Sequence, residues 1–155
     1  MELGTVGAAL EREHRDIDGG IEEYTAALPN GGGDPAPLIR AMEALRRHIY
    51  LEEEFLFPPL REAGMTMPVF VMLREHGELW NAMDAIETQI DAAAGREELL
   101  GRSRELLALL DKHNSKEEPI IYPQADAVLG SEAGEKLQAF IESGRMPEGW
   151  VCEKA

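Results

Sequence analysis

The chain has 155 residues and a formal net charge of -15 at pH 7, with 30 acidic and 15 basic residues. This length suits one domain with a single hydrophobic core. The negative charge argues against nucleic acid and anionic membrane surfaces as partners, because both bind through clustered Lys and Arg. Ala, Leu and Glu are abundant and only 6% of the residues are aromatic, which predicts an all-α fold.

Cysteine content and hydropathy indicate the cellular compartment of the protein. Cys152 is the only cysteine, so no internal disulfide can form. The sequence has neither a cationic, apolar leader nor an apolar run of about 18 residues, so we expect neither a signal peptide nor a membrane span. The expectation is a soluble, cytoplasmic protein that is a monomer or a weak dimer.

Stretches rich in Pro and Gly divide the chain into segments of helical length. Residues 29–35 form one such stretch, residues 64–68 form a second, and Gly95 with Arg96 marks a weaker third. The predicted helices are four long segments, at residues 3–28, 36–62, 67–93 and 96–128, and a short one at residues 131–143.

The short connections between the long helices favour antiparallel neighbours, which predicts an up-down-up-down four-helix bundle. We assign residues 1–145 to the bundle, including the short C-terminal helix. Residues 146–155 form a tail that we expect to fold back over one end of the bundle.

Prolines should disturb the second and fourth helices. Pro58 and Pro59 should end or kink the second helix. Pro119 has no N–H to donate to the carbonyl of Ser115, so the fourth helix should bend just past His113.

All four histidines belong to one pattern that occurs twice. The pattern is an Arg-Glu-His triplet, then a His with a Glu four residues later, then an aromatic-Pro pair that begins nine residues after that His. The first copy is Arg12-Glu13-His14, His48 with Glu52, and Phe57-Pro58. The second copy is Arg74-Glu75-His76, His113 with Glu117, and Tyr122-Pro123.

Helical phase predicts which of the repeated residues face the core. Successive residues of an α-helix are separated by about 100°, and on this basis all four histidines lie on apolar stripes. Glu52 and Glu117 lie on the same stripes. Glu53, Glu54 and Glu118 project away from them.

A carboxylate on an apolar stripe is costly to bury unless it is neutralised, and no Lys or Arg shares these two stripes. Two metal ions would supply the missing charge, each bound by imidazoles and bridged by the two carboxylates. Iron suits mixed imidazole and carboxylate ligands best, although zinc and manganese accept similar donors. The predicted metal ligands are His14, His48, Glu52, His76, His113 and Glu117.

This H, HxxxE, H, HxxxE pattern resembles the bacterial form of the hemerythrin-like, or HHE cation-binding, family of four-helix bundles. The resemblance covers nearly the whole chain, and the family's LFP-like helix endings correspond to Leu56-Phe57-Pro58 and Ile121-Tyr122-Pro123. It implies a non-haem di-iron centre, oxo- or hydroxo-bridged, held by the same six residues. It also implies small-molecule partners: peroxide, dioxygen or nitric oxide.

The sequence departs from the oxygen carriers of that family. They carry a fifth histidine one turn after the third-helix ligand, where this chain has Trp80, and an HxxxxD motif where it has HxxxE. Six protein ligands and one bridge would leave about two of the twelve octahedral positions open. We therefore expect catalase- or peroxidase-type chemistry, including nitric oxide peroxidase activity. The alternatives are a sensor or store for dioxygen, nitric oxide or iron, and a purely structural bundle.

Two residues near the predicted ligands each have two alternative roles. Asp18 lies four residues after His14, and we favour an acceptor that orients His14 over a further metal ligand. Trp80 either lines the open side of the metal pair or, as we favour, fills the core.

The tyrosines and the tail complete the predicted site. Tyr24, Tyr50 and Tyr122 project off the ligand stripes, so we assign no phenolate ligand, although a bent helix would change that phase. Trp150 and Cys152 lie in the tail, and nothing near Cys152 indicates an activated thiolate.

Overall fold

The computed structural model describes residues 6–30, 34–93 and 95–155, and the secondary structure of these residues is entirely helical. The first residues of the predicted first helix lie outside the described part of the chain. The α-helices are α1 (Val6–Ala27), α2 (Ala36–Leu51), α3 (Phe57–Glu62), α4 (Thr66–Asp91), α5 (Arg96–Lys116), α6 (Tyr122–Val128) and α7 (Ser131–Ser143). A 3-10 turn (Leu28–Asn30) follows α1.

Four long helices surround the core. α1 packs against α2 and α5, and α4 packs against α5, with further contacts between α2 and α4. The buried apolar side chains form two clusters. Along α1 and α4 the order is Leu10, His14, Ile17 and Val69, His76, Met83, so a histidine separates the two clusters on each helix.

On α2 and α5 the two clusters occur in the opposite order along the chain. Leu45 precedes His48 and Leu56 follows it, as Leu110 precedes His113 and Ile121 follows it. This reversal is expected if neighbouring helices run in opposite directions. It is consistent with an up-down-up-down topology, which stays a prediction. The polar side chains therefore form one layer between two apolar halves of the core.

The predicted second and fourth helices are each interrupted by a π-helical turn. The first π segment is Glu52–Leu56 and the second is Glu117–Ile121. In each, a backbone N–H bonds five residues back: Phe57 to the carbonyl of Glu52, and Tyr122 to that of Glu117. The second segment contains Pro119, and Pro58 and Pro59 follow shortly after the first. Prolines lack the N–H groups that would continue the α-helical pattern.

The short helix α7 lies outside the bundle and is held by one arginine. α7 contacts α1, α2 and the first π segment. The Arg47 guanidinium donates to the carbonyls of Phe140, Ile141 and Gly144, and it also reaches the carboxylate of Glu13. A cation is favourable at these carbonyls because the C-terminal end of a helix carries partial negative charge.

The tail folds back as predicted, but onto the side of the bundle and not over its end. Trp150 packs edge-on against Trp80, with ring centroids 5.6 Å apart, and Cys152 is buried in the adjoining core. The backbone of Lys154 lies directly against Gly77 of α4. The absence of a side chain at Gly77 allows this close approach. Within the described residues, none of the helices has the apolar length needed to cross a bilayer.

Candidate metal centre

The structure brings the six predicted donors together in the polar layer. α1 and α4 each contribute a histidine, while α2 and α5 each contribute a histidine and lead into the π segment that begins with a glutamate. All six are buried, with at most 3% of any residue exposed, and they are His14, His48, Glu52, His76, His113 and Glu117.

These donors form two overlapping groups, and within each group the donor atoms lie within 4.8 Å of one another. The first group is His14, His48, Glu52 and Glu117. The second group is Glu52, His76, His113 and Glu117. Two histidines are therefore particular to each group, while both carboxylates are shared.

Each shared carboxylate contacts one histidine of each group. Glu52 lies 2.9 Å from Nε2 of His48 and 3.0 Å from Nε2 of His76. Glu117 lies 3.1 Å from Nε2 of His14 and 3.3 Å from Nε2 of His113. Glu52 uses a different oxygen for each histidine, and Glu117 uses Oε1 for both, so each carboxylate lies between the two groups.

The opposite ring nitrogen of every histidine bonds to a further glutamate. Such a bond, with Nδ1–H donating to a carboxylate, fixes the ring and leaves the Nε2 lone pair for a metal. The pairs are His14 with Glu118, His48 with Glu13, and His76 with Glu53, each at 2.8 Å, and His113 with Glu75 at 2.9 Å.

This arrangement explains the duplicated Arg-Glu-His triplets. The glutamate of each triplet orients the histidine of the HxxxE motif on the next long helix, as Glu13 does for His48 and Glu75 for His113. Lys116 in turn pairs with the second oxygen of Glu75. The sequence signal was therefore present in the triplet, although its partner could not be identified from one helix.

The prediction that Glu53 and Glu118 project away from the site was wrong. Each follows the inward glutamate by one residue, and a position about 100° from the core direction faces the neighbouring helix in a bundle. Glu53 reaches His76 on α4, and Glu118 reaches His14 on α1. Glu54 is exposed, as expected.

Asp18 does not hold the position predicted for it. The Nδ1 atom of His14 bonds to Glu118, and one buried carboxylate oxygen of Asp18 has no hydrogen-bond partner among the described residues. Burial raises the pKa of Asp18, an effect that His14 partly offsets. Asp18 is thus near His14 without orienting it.

Trp80 occupies the core beside the polar layer. The Arg46 guanidinium lies over its ring, 4.5 Å from the centroid, and the tail indole of Trp150 packs against its edge. Its described contacts involve none of the six donors. The structure therefore places Trp80 as core filling, between the tail and the bundle.

Tyr122 is the residue that sequence reasoning missed. Its phenol oxygen lies 2.5 Å from Glu52, 2.8 Å from His14, 3.0 Å from Glu117 and 3.1 Å from His48. Five α-helical steps would place Tyr122 about 140° from Glu117. The π segment inserts one residue, which reduces this angle to about 40° and turns the phenol into the first group.

The pKa values of the buried groups show a strong attraction between the imidazoles and the carboxylates. Burial alone would lower the pKa of His113, but the Glu117, Glu75 and Glu52 carboxylates raise it to about 10. Burial raises the pKa of Glu75, and its bonds to His113 and Lys116 outweigh this and lower it to about 2. Burial lowers the pKa values of His48, His76 and His113, but neighbouring carboxylates outweigh this and raise them, so these three imidazoles hold their protons firmly unless another cation replaces them.

The donor chemistry fits a multivalent cation. Glu52 and Glu117 are fully buried, and their described ion-pair partners are histidines alone. The Oε2 atom of Glu117 has no hydrogen-bond partner among the described residues. A buried carboxylate oxygen without a partner is costly, and a metal would satisfy it.

Fold and site together define a helical protein with a non-haem metal centre of histidines and glutamates. The model of the hemerythrin HHE cation binding domain matches residues 5–125. The chain belongs to this family. No curated protein and no solved structure matches it.

Proposed function

We propose that the protein holds two iron ions and removes peroxide by catalase- or peroxidase-type chemistry, as a defence against oxidative or nitrosative stress. The observation that carries the proposal is the pair of overlapping donor groups that share Glu52 and Glu117. Hemerythrin domains bind small gaseous ligands, so dioxygen and nitric oxide are further candidates for the same site.

Some of the side chains would balance the charge of the metal ions, and others would fix the orientation of the ligands. An iron pair held by these residues would supply two exchangeable electrons and would bind a small ligand. Glu52 and Glu117 hold the two positions together, and the carboxylates on the Nδ1 atoms keep each imidazole aligned. The two apolar halves of the core exclude bulk water from this layer.

The catalase reaction balances without an outside reductant, whereas a peroxidase reaction takes its two electrons from a reducing substrate such as nitric oxide. One peroxide is oxidised to dioxygen and a second is reduced to two waters, with two electrons passing between them. The position of Trp80 favours this over oxygen carriage, because the residue one turn beyond His76 packs into the core and offers no imidazole.

Metal content and peroxide turnover test the proposal. Protein loaded with iron should contain two irons per chain and evolve oxygen from hydrogen peroxide. Both properties should be lost in Glu52→Ala and His113→Ala and kept in Glu54→Ala, whose side chain is exposed. Oxygen evolution no faster than that of the same amount of free iron would refute catalase function.

A sensor is the second candidate, and one contact favours it. The backbone N–H of Glu153 in the tail donates to Glu53, 3.0 Å away, and Glu53 also holds His76. A change at the metal layer could therefore alter how the tail is bound. Reversible dioxygen or nitric oxide binding without turnover, accompanied by a change in tail protection, would favour a sensor over an enzyme.

A further inference from the structure

We propose that Tyr122 is a seventh protein ligand, and that it binds only the metal of the first group. This inference rests on the proposed metal pair. It goes further by making the two metal positions chemically different.

The phenol oxygen is too crowded for ordinary hydrogen bonding. Four polar atoms of the first group lie within 3.1 Å of it, two from carboxylates and two from imidazoles. Once a metal replaces the Nε2 protons, Nδ1 of His14 and His48 still donates outward, and all four neighbours of the phenol oxygen are acceptors. A phenol has one proton, which can satisfy only one of them. A metal ion between these atoms would satisfy the whole set.

The phenol is also held in place. Tyr122 is 1% exposed and begins α6 directly after the second π segment. Its ring centroid lies 5.3 Å from that of His14. Ligation therefore needs no rotation of the side chain toward the first group.

The repeat supplies an internal comparison at the second group. Phe57 stands at the equivalent position, five residues after the shared glutamate and directly after the first π segment. It is equally buried and stacks on His76, with centroids 5.4 Å apart and planes 24° apart. A phenyl ring offers no oxygen, so Phe57 cannot do in the second group what we propose for Tyr122 in the first.

This difference determines where a small molecule binds. Of about two open octahedral positions on the pair, the phenolate would occupy one. The other remains on the metal held by His76 and His113. On metal binding the phenol O–H bond is replaced by an oxygen–metal bond, the proton passes to solvent, and no electron is transferred.

Visible and resonance Raman spectra of the iron-loaded protein test this ligand. A phenolate on iron(III) gives a charge-transfer band in the visible region, and excitation in that band enhances tyrosine ring vibrations. We expect both signals in the wild-type protein. Both should disappear in Tyr122→Phe, which makes the two groups alike, while the iron content stays at two per chain.

The other tyrosines provide a control that does not depend on the folding of Tyr122→Phe. The chain has three tyrosines, so in the double variant Tyr24→Phe with Tyr50→Phe only Tyr122 remains. The charge-transfer band should persist in that variant. A protein with two irons and no tyrosinate signal would refute Tyr122 as a ligand and leave the proposed function standing. A charge-transfer band that survives in Tyr122→Phe would do the same. A protein that retains no metal would overturn the proposed function as well.

Discussion

Replacing Glu53 by alanine tests whether the carboxylates around the histidines support the centre. The Glu53 side chain is 5% exposed and accepts two hydrogen bonds, from Nδ1 of His76 at 2.8 Å and from the backbone N–H of Glu153 at 3.0 Å. Alanine removes both bonds, leaves a buried imidazole N–H unsatisfied and takes one hydrogen bond from the tail. Glu54, its neighbour, is exposed.

The expected loss follows from these two bonds. A buried hydrogen bond to a charged group contributes about 1.5–3 kcal/mol, and the bond to the tail, which water can partly replace, contributes about 0.5–1 kcal/mol. The sum is about 2–4 kcal/mol. For a domain of this length that corresponds to a fall in melting temperature of about 6–12 °C. Metal affinity should fall by about tenfold to a hundredfold, because His76 is no longer held in orientation.

Thermal unfolding and competition with a chelator measure the two effects. Glu54→Ala is the matched control and should change stability by no more than about 0.5 kcal/mol. Glu53→Gln keeps hydrogen-bonding atoms without the charge and should lie between wild type and Glu53→Ala. Glu53→Ala that matches Glu54→Ala in both melting temperature and metal affinity would refute the reasoning.

Three further predictions concern pH, the tail and α7. In protein stripped of metal by a chelator, the raised pKa of His113 contributes stability that is fully present below pH 6.5 and is lost as the pH rises toward about 10. The lowered pKa of Glu75 contributes stability that is fully present above pH 4.5 and is lost as the pH falls toward about 2. The melting temperature should therefore peak between these two ordinary pKa values, and a continued rise above pH 8 would contradict this. Gly77→Ala places a methyl group against the tail backbone and should release it. Cys152, whose pKa burial raises to about 11, should then react faster with a thiol reagent, and an unchanged rate would show that the tail stays bound. Arg47→Met removes the bonds to the last carbonyls of α7 and should cost about 2–3 kcal/mol in thermal unfolding. A melting temperature equal to wild type would show that α7 is held by its apolar contacts.

The all-α class and the inward direction of the six donors could be predicted from the sequence, because both depend on local periodicity. A residue four positions along a helix returns to the same face, so Glu52 follows His48 and Glu117 follows His113 onto the apolar stripe. The cost of burying those carboxylates then required a cation. Neither step needs knowledge of a neighbouring helix.

Only the tertiary structure decided the roles of Glu53, Glu118 and Tyr122. Glu53 and Glu118 lie on the flanks of their helices, and whether a flank meets solvent or an imidazole depends on the adjacent helix and its register. Tyr122 faces the centre because the second π segment adds one residue to the turn, which a constant 100° step cannot anticipate. Asp18 lost its predicted role to Glu118 for the same reason, since contacts across the bundle are set by packing between helices and not by spacing along one.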